Sequence, residues 1–505
     1  MLATVLSFLP LFRRSASRCA AMLCMLSGAM LLSACGQGNE DGPVEIAFIG
    51  NPATLVQSGM RLSPAAQQIR AATAQGLVAI DANGEIIPAL AERWIVTDDG
   101  LSYIFRLRDV DWPDGSRLTA ASVRRSLMRD IDALEGTSLG LDLAKVDEIR
   151  AMTGRVVEIR LSSPMPGFLQ LLAQPELGLM RDGEGTGPMN IVGDGGSALL
   201  TVLPPEERGL PQAENWRDEY RPLRVRILGP KNALDAFRRG EVDGVFSGRI
   251  ASLPMVDTGP LARGTVRLDA PRGLFGLRFT SLEGFLAEPA GREALSMALD
   301  RDTLLAPFSI GGWSPATQIV PPEIARRPDS AYPDWTGLTL EQRRAEAAAR
   351  VSAYEVSTGE AVNLRLRMPT GPGADILFKR LAADFAAIGV DAMRVEPGEP
   401  AELRLVDTVA RYAAPRWYLN QFNCSLGGGA CSGAADTLVN EALAAADPAV
   451  QDTLLTAAEA RLNAAQVFIP FGPPIRWALV RADLPGFVEN GWSLHPLFPM
   501  AQRPI

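Results

Sequence analysis

At 505 residues, with 47% hydrophobic and 21% charged side chains, the chain is too long for one simple core and too apolar to be disordered. Its net charge of −9, from 49 basic and 58 acidic residues, argues against nucleic acid as a partner, because phosphate binding needs a basic face. Residues 1–34 read as a targeting signal. Arg13, Arg14 and Arg18 form its basic region, and residues 20–32 an apolar run too short to span a membrane comfortably. Leu32-Ser33-Ala34-Cys35 then matches a lipobox, in which Cys35 becomes the lipidated first residue of an exported lipoprotein. The competing reading is an ordinary signal peptide that happens to hold a cysteine there. Gly36 stands where an inner-membrane retention signal has aspartate, which leaves the choice of membrane open. Removing the signal takes away three arginines and no acid, so the mature charge moves from −9 to −12.

Residues 35–43 are a polar linker, and Val44–Ile49 is a first strand followed by a loop holding Thr54. Residues 77–80 form an apolar strand closed by the turn Ala82-Asn83-Gly84. The strand over 94–96 ends at Asp98-Asp99-Gly100, and 103–107 alternates back out. Thr119 caps a helix with Val123, Leu127, Ile131 and Leu134 at helical spacing. Two strands follow within 146–161, turning at Thr153-Gly154. Gly185-Thr186-Gly187-Pro188 has no Gly-Lys-Ser/Thr ending and is not a phosphate loop.

Leu223–Leu228 is a strand, 233–237 a short helix and 274–279 a buried strand. Residues 364–368, 390–395 and 403–406 are strands around a helix whose face is Leu377, Leu381, Phe385 and Ile388 and which Gly389 stops. Helices over 436–445 and 449–464 lead into the strand 467–471. This alternation predicts a parallel or mixed sheet covered by helices.

The order of the words is more specific than the elements. Gly-Leu, Asp-x-x-Gly, Pro-Ala-Leu-Ala-Glu-x-Trp, Asp-Asp-Gly-Leu and Trp-Pro-Asp-Gly-x-x-Leu-Thr-Ala follow one another between Gly76 and Ala120. In this the chain resembles the extracellular solute-binding protein family 5, the peptide-, nickel- and opine-type receptors of ABC importers. Gly-Thr-Gly-Pro at 185–188 and Asp300-Arg301 fit the same pattern. Ser122 departs from it, standing where an acid usually strengthens the helix cap, and Thr280 replaces an asparagine.

The resemblance implies an α/β fold, the two-lobed periplasmic binding protein of type II with an extra β-rich subdomain. Lobe I would comprise 44–66, 185–270 and 473–505, the subdomain 67–184, and lobe II 271–472. It further implies a monomeric receptor on the periplasmic side of a bacterial membrane, lipid-anchored, with a peptide-like ligand between the lobes, an ABC permease as partner and no cofactor. Thr54, in the loop after the first strand, would help line the cleft.

Two other classes compete. An enzyme with a Ser-His-Asp or Cys-His site would have to use His495, the only histidine, in a tail with no Gly-x-Ser-x-Gly elbow elsewhere. No His/Cys cluster offers a metal site, and paired carboxylates stay open because acids are plentiful, though none stand out by spacing. A structural or adaptor lipoprotein could keep the fold without a ligand, and a filled cleft would favour it. Cys424 and Cys431 flank a glycine run and, after export, are expected to form a disulfide. Peptide receptors of the family carry an Asp-Tyr-x-Asp-Pro-like word whose second acid pairs with the ligand's α-amino group. Here it becomes Arg411-Tyr412-Ala413-Ala414-Pro415, followed by Arg416, Trp417 and Tyr418. Ala414 cannot hold an ammonium, whereas guanidinium groups suit carboxylate or phosphate. The expectation is a ligand that presents negative or blocked groups to Arg411 or Arg416, with Tyr412 beside it and Trp417 and Tyr418 as a flat apolar wall.

Overall fold

The computed structural model describes residues 42–504, apart from 56, 58, 195, 257–263 and 326–331. The targeting signal, Cys35 and most of the linker lie outside the described residues. Two mixed sheets organise the chain. In the first, Val44–Ile49 pairs in parallel with Leu223–Leu228 on one side and Gly244–Arg249 on the other. Antiparallel strands flank this centre: the hairpin Met189–Asp194/Ser197–Val202 at one edge, Arg476–Val480 and Val266–Asp269 at the other. Val44, Ile46 and Phe48 enter the core on one face while Ala47 enters a separate core on the other, as a strand covered on both sides requires.

The second sheet belongs to lobe II and orders its strands Asp391–Val395, Asn363–Arg367, Leu403–Val409, Gly273–Phe279 and Phe468–Gly472. All seven residues of Gly273–Phe279 are buried, so it is the spine of that lobe. Two short connections link the sheets, 270–272 and 473–475. A pair of strand-to-strand crossings of this kind is a natural hinge.

The third unit is a four-stranded antiparallel sheet, Ala91–Val96, Ser102–Leu107, Val156–Leu161 and Val146–Ala151, covered by the helix Ala120–Asp132. Gly84, at φ +88°, closes the turn after Val78–Ile80 by donating to Asp81 O, in a conformation that glycine adopts without steric cost. Ser122 does not weaken the helix cap as expected. Its hydroxyl accepts from Thr119 N at 3.0 Å while Ser122 N donates to Thr119 Oγ1 at 3.2 Å, and it also accepts from Trp112 Nε1. A serine thus completes the reciprocal box that an acid would otherwise make.

One continuous buried cluster runs from Leu77 through this subdomain into lobe II as far as Ile475. The subdomain therefore shares its core with lobe II, whereas the seven-stranded sheet keeps its own.

Candidate functional site

Residues at the carboxyl end of the strand Gly244–Arg249 face the far end of the strand Leu403–Val409 across the hinge. Three adjoining cavities lie in this crevice. The first, about 360 Å³, is lined by Ser247, Arg249, Asp407, Arg411, Arg476 and Trp492 among others. The second, about 430 Å³, is lined by Arg249, Arg278, Arg367, Arg404, Asp407 and Phe422. The third, about 410 Å³, opens between Asn51, Thr54, Ser63, Arg249 and Thr370. Arg249 borders all three. Clefts between domains are where small-molecule sites are usually found.

The electrostatics of the crevice run against those of the chain. Six arginines border the cavities (249, 278, 367, 404, 411 and 476), against one acid among the described lining residues, Asp407. Asp407 is already engaged: Arg476 Nη1 donates to its Oδ1, and Arg249 Nη1 donates to its main-chain oxygen at 3.0 Å. Both arginines come from lobe I and Asp407 from lobe II, so this cluster ties the lobes together beside the hinge. Burial and the neighbouring Arg476 pull the Arg249 guanidinium down, and Asp407 only partly opposes them.

Arg411 lines the first cavity, and Thr54 the third. Arg411 is not a free cation, since Nη2 donates to Glu176 Oε1 at 2.7 Å and Nη1 to Gln174 Oε1 at 3.0 Å. The expectation for Tyr412, Arg416, Trp417 and Tyr418 needs correction, because none of them borders these cavities. Pro415 starts a short helix, Pro415–Asn420, and its turn carries the following side chains away from the crevice into the seam with the subdomain. There Tyr412 Oη donates to Asp142 Oδ1 at 2.9 Å, Asn420 Nδ2 to the same atom at 2.6 Å, and Arg416 Nη2 to Leu141 O at 2.6 Å. Trp417 and Tyr418 stack edge to face in the large buried cluster.

The arginines at 249, 278, 367, 404 and 476 were not singled out from sequence. The signal was present, since an arginine inside an apolar strand such as Leu277-Arg278-Phe279 has to be explained by a partner or a function.

His495 is sequestered in lobe I, with Nε2 3.0 Å from Asp269 Oδ2 and its ring against Phe246 and Phe487. No cluster of three metal-ligating side chains occurs among the described residues, and no described helix is long and apolar enough to cross a membrane. Cys424 and Cys431 are joined in a disulfide with Cα atoms 5.2 Å apart.

Comparison with known proteins gives these shapes a context. The family model for bacterial extracellular solute-binding proteins, family 5 Middle, matches residues 85–417. A probable deoxycholate-binding periplasmic protein of Escherichia coli (strain K12) is 29% identical over 282 residues, 50% of this chain and 52% of that one. A glutathione-binding protein of Salmonella paratyphi A is 26% identical over 284 residues, again 52% of each. The chain thus spans about half the length of the curated relatives it matches. Among solved structures, Haemophilus influenzae OppA in complex with RPPGFSPFR superposes with a TM-score of 0.76 at 15% identity, covering 92% of this chain and 99% of that one. The fold is therefore that of the type II periplasmic binding proteins.

Proposed function

This chain belongs to the bacterial extracellular solute-binding proteins of family 5, and from that premise we propose that it is the receptor of an ABC importer. It captures a small peptide or peptide-like solute in the interlobe crevice, closes over it without chemical turnover, and presents it to a permease. The observation that carries this reading is the run of adjoining cavities, bordered by polar side chains and by Trp492 and Phe422, between two sheets whose strands connect through the short segments 270–272 and 473–475. An adaptor that had abandoned its ligand would gain by filling that space with side chains. The mechanism requires only that the closed arrangement bind solute better than the open one.

Native mass spectrometry of the purified mature chain, with thermal-shift screening of peptides, amino-acid derivatives and opines, tests the proposal. A solute at a hundred times its dissociation constant adds about 2.7 kcal/mol of stability, which such a screen resolves. Absence of any co-purified solute and of any shift across all classes would return the adaptor reading. The proposal includes a periplasmic location with a lipid anchor at Cys35, so Cys35→Ala is expected to yield a folded protein in the soluble periplasmic fraction. Retention in the membrane fraction would require another anchor.

A further inference from the structure

Arg367, Arg404 and Arg278 stand directly opposite one another on three neighbouring strands of the lobe II sheet. All three border the same crevice cavity, with Arg249 facing them from the other lobe. Like charges placed opposite each other on a sheet repel, so the row weakens the sheet that carries it.

The described residues offer the row no neutralising partner. Arg278 is 95% buried, yet only its Nη1 is satisfied, by Gln421 O at 2.9 Å; Nε and Nη2 have no hydrogen-bond partner among the described residues. Arg367 Nε donates to a main-chain carbonyl, that of Glu399, and the Arg404 guanidinium has neither hydrogen bond nor ion pair among the described residues. Burial and then Arg404 push the Arg278 guanidinium down to about 10; burial and then Arg367 lower Arg404. The one acid bordering this cavity, Asp407, is held by Arg476 and Arg249. Arg278 is also fixed in place. It lies over the Phe422 ring, and a Cβ on Gly428 would sit 2.6 Å from its Nη1, so the backbone of the disulfide loop abuts the guanidinium.

We propose that the Arg278–Arg404–Arg367 row is the subsite for a solute group carrying two or more negative charges, carboxylate or phosphate, and that the crevice selects anionic solutes through it. The proposal rests on the receptor reading and names its substrate class. Planar guanidinium forks take such oxyanions bidentately, and excluding water as the lobes close strengthens the pairing. The repulsion stored in the row is relieved when the anion arrives, so binding and stability are coupled.

Isothermal titration calorimetry on the mature chain with citrate, pyrophosphate, tri-glutamate, tri-alanine and tri-lysine tests this, with citrate against pyrophosphate separating carboxylate from phosphate. At least one polyanion is expected to bind tenfold or more tighter than tri-alanine. Arg404→Met should weaken that binding at least tenfold and, without solute, raise the melting temperature, a pairing that a merely structural arginine would not give. Arg367→Met should act in the same direction. Arg365→Met, on the same strand as Arg367 but paired with Glu402, should leave binding unchanged. Preference for tri-alanine or tri-lysine, or polyanion affinity indifferent to Arg404→Met, would overturn the proposal while leaving the receptor reading intact. If none of the five probes binds, the anion subsite is rejected, and the native mass-spectrometry result decides separately whether the receptor reading falls with it.

Discussion

Towards the β-rich subdomain, lobe II buries Tyr412 and Trp417 to 2% exposure or less. Tyr412 and Asn420 donate to Asp142 and Arg416 Nη2 to Leu141 O, while Arg416 Nε and Nη1 have no partner among the described residues. Ser163 Oγ and Lys145 Nζ close the other end of this seam on Leu443 O. Towards the seven-stranded sheet, the same lobe leaves cavities bordered by arginines. A single stretch supplies both faces, with Asp407 to Arg411 on the crevice and Tyr412 to Asn420 in the seam. The contrast shows which boundary is built to stay closed and which to move. Parting the seam would expose a shared apolar core, while parting the crevice exposes charge that water solvates readily.

The sharpest way to break this contrast is Trp417→Ala. Truncating a large buried aromatic typically costs about 3–5 kcal/mol. The variant should unfold at markedly lower denaturant or temperature, yet bind solute with unchanged affinity under conditions where it is folded. Loss of affinity with unchanged stability would place Trp417 in the crevice after all.

That outcome bears on what was legible beforehand. Strand positions such as Val44–Ile49 and Leu223–Leu228 can be read because their burial is written as apolar residues at alternate positions, Leu223, Val225 and Ile227 in one case and Val44, Ile46 and Phe48 in the other. The helix Leu340–Thr358 carries no readable period because only Ala347 and Val351 on it are buried, too little contrast to mark a face. Its Thr339–Gln342 capping box, a local signal, would have found it. The site failed differently. Arg411 to Tyr418 reads as one wall in sequence, but Tyr412 already points to Asp142 in the seam, and the helix Pro415–Asn420 carries Arg416 and Asn420 to the same side. The arginine row could not be assembled from sequence, since its members lie on strands paired only by tertiary register.

Acidity probes the seam next. Burial raises the Asp142 carboxyl from 3.8 to about 6, against the opposing pull of Arg416. Its neutral form is therefore the one the fold prefers. That contribution is fully present below about pH 4 and is lost as pH rises through about 6, a change on the order of 3 kcal/mol. Asp142→Asn keeps an acceptor for Tyr412 and Asn420 and cannot ionise. Thermal melts should show the variant level with the parent near pH 4 and more stable by pH 7, with solute affinity unaltered. Lys145, lowered to about 8 by burial and Arg416, titrates above this window. A variant whose advantage shrinks as pH rises would refute the account.

The disulfide lies where lobe II's core meets the crevice. Replacing Cys424 and Cys431 by serine should cost about 2 kcal/mol, because the reduced chain regains the entropy of a short loop. Since Gly428 packs on Arg278, the reduced loop should also weaken citrate or pyrophosphate binding, whichever the calorimetry selects. Lower stability with unchanged anion binding would confine the loop to a structural role.

The smallest effect is expected at Thr54, on the crevice side alone. Its hydroxyl donates to Asn51 O at 2.7 Å within the short helical turn Pro52–Thr54, no residue of which is buried, and it borders the third cavity with Arg249. Little packing depends on it, so Thr54→Ala should change stability by no more than about 0.5 kcal/mol. A neutral hydrogen bond to solute is worth about 1 kcal/mol, which corresponds to an affinity loss of roughly fivefold. Calorimetry alongside a thermal melt separates the two quantities. A fall of several degrees in melting temperature would mean that the loop supports the core, and the division between a packed seam and a solvated crevice would then fail on the crevice side. Unchanged stability with unchanged affinity would instead show that the bound solute extends only over the two cavities beside Asp407, and would shorten the site without moving it.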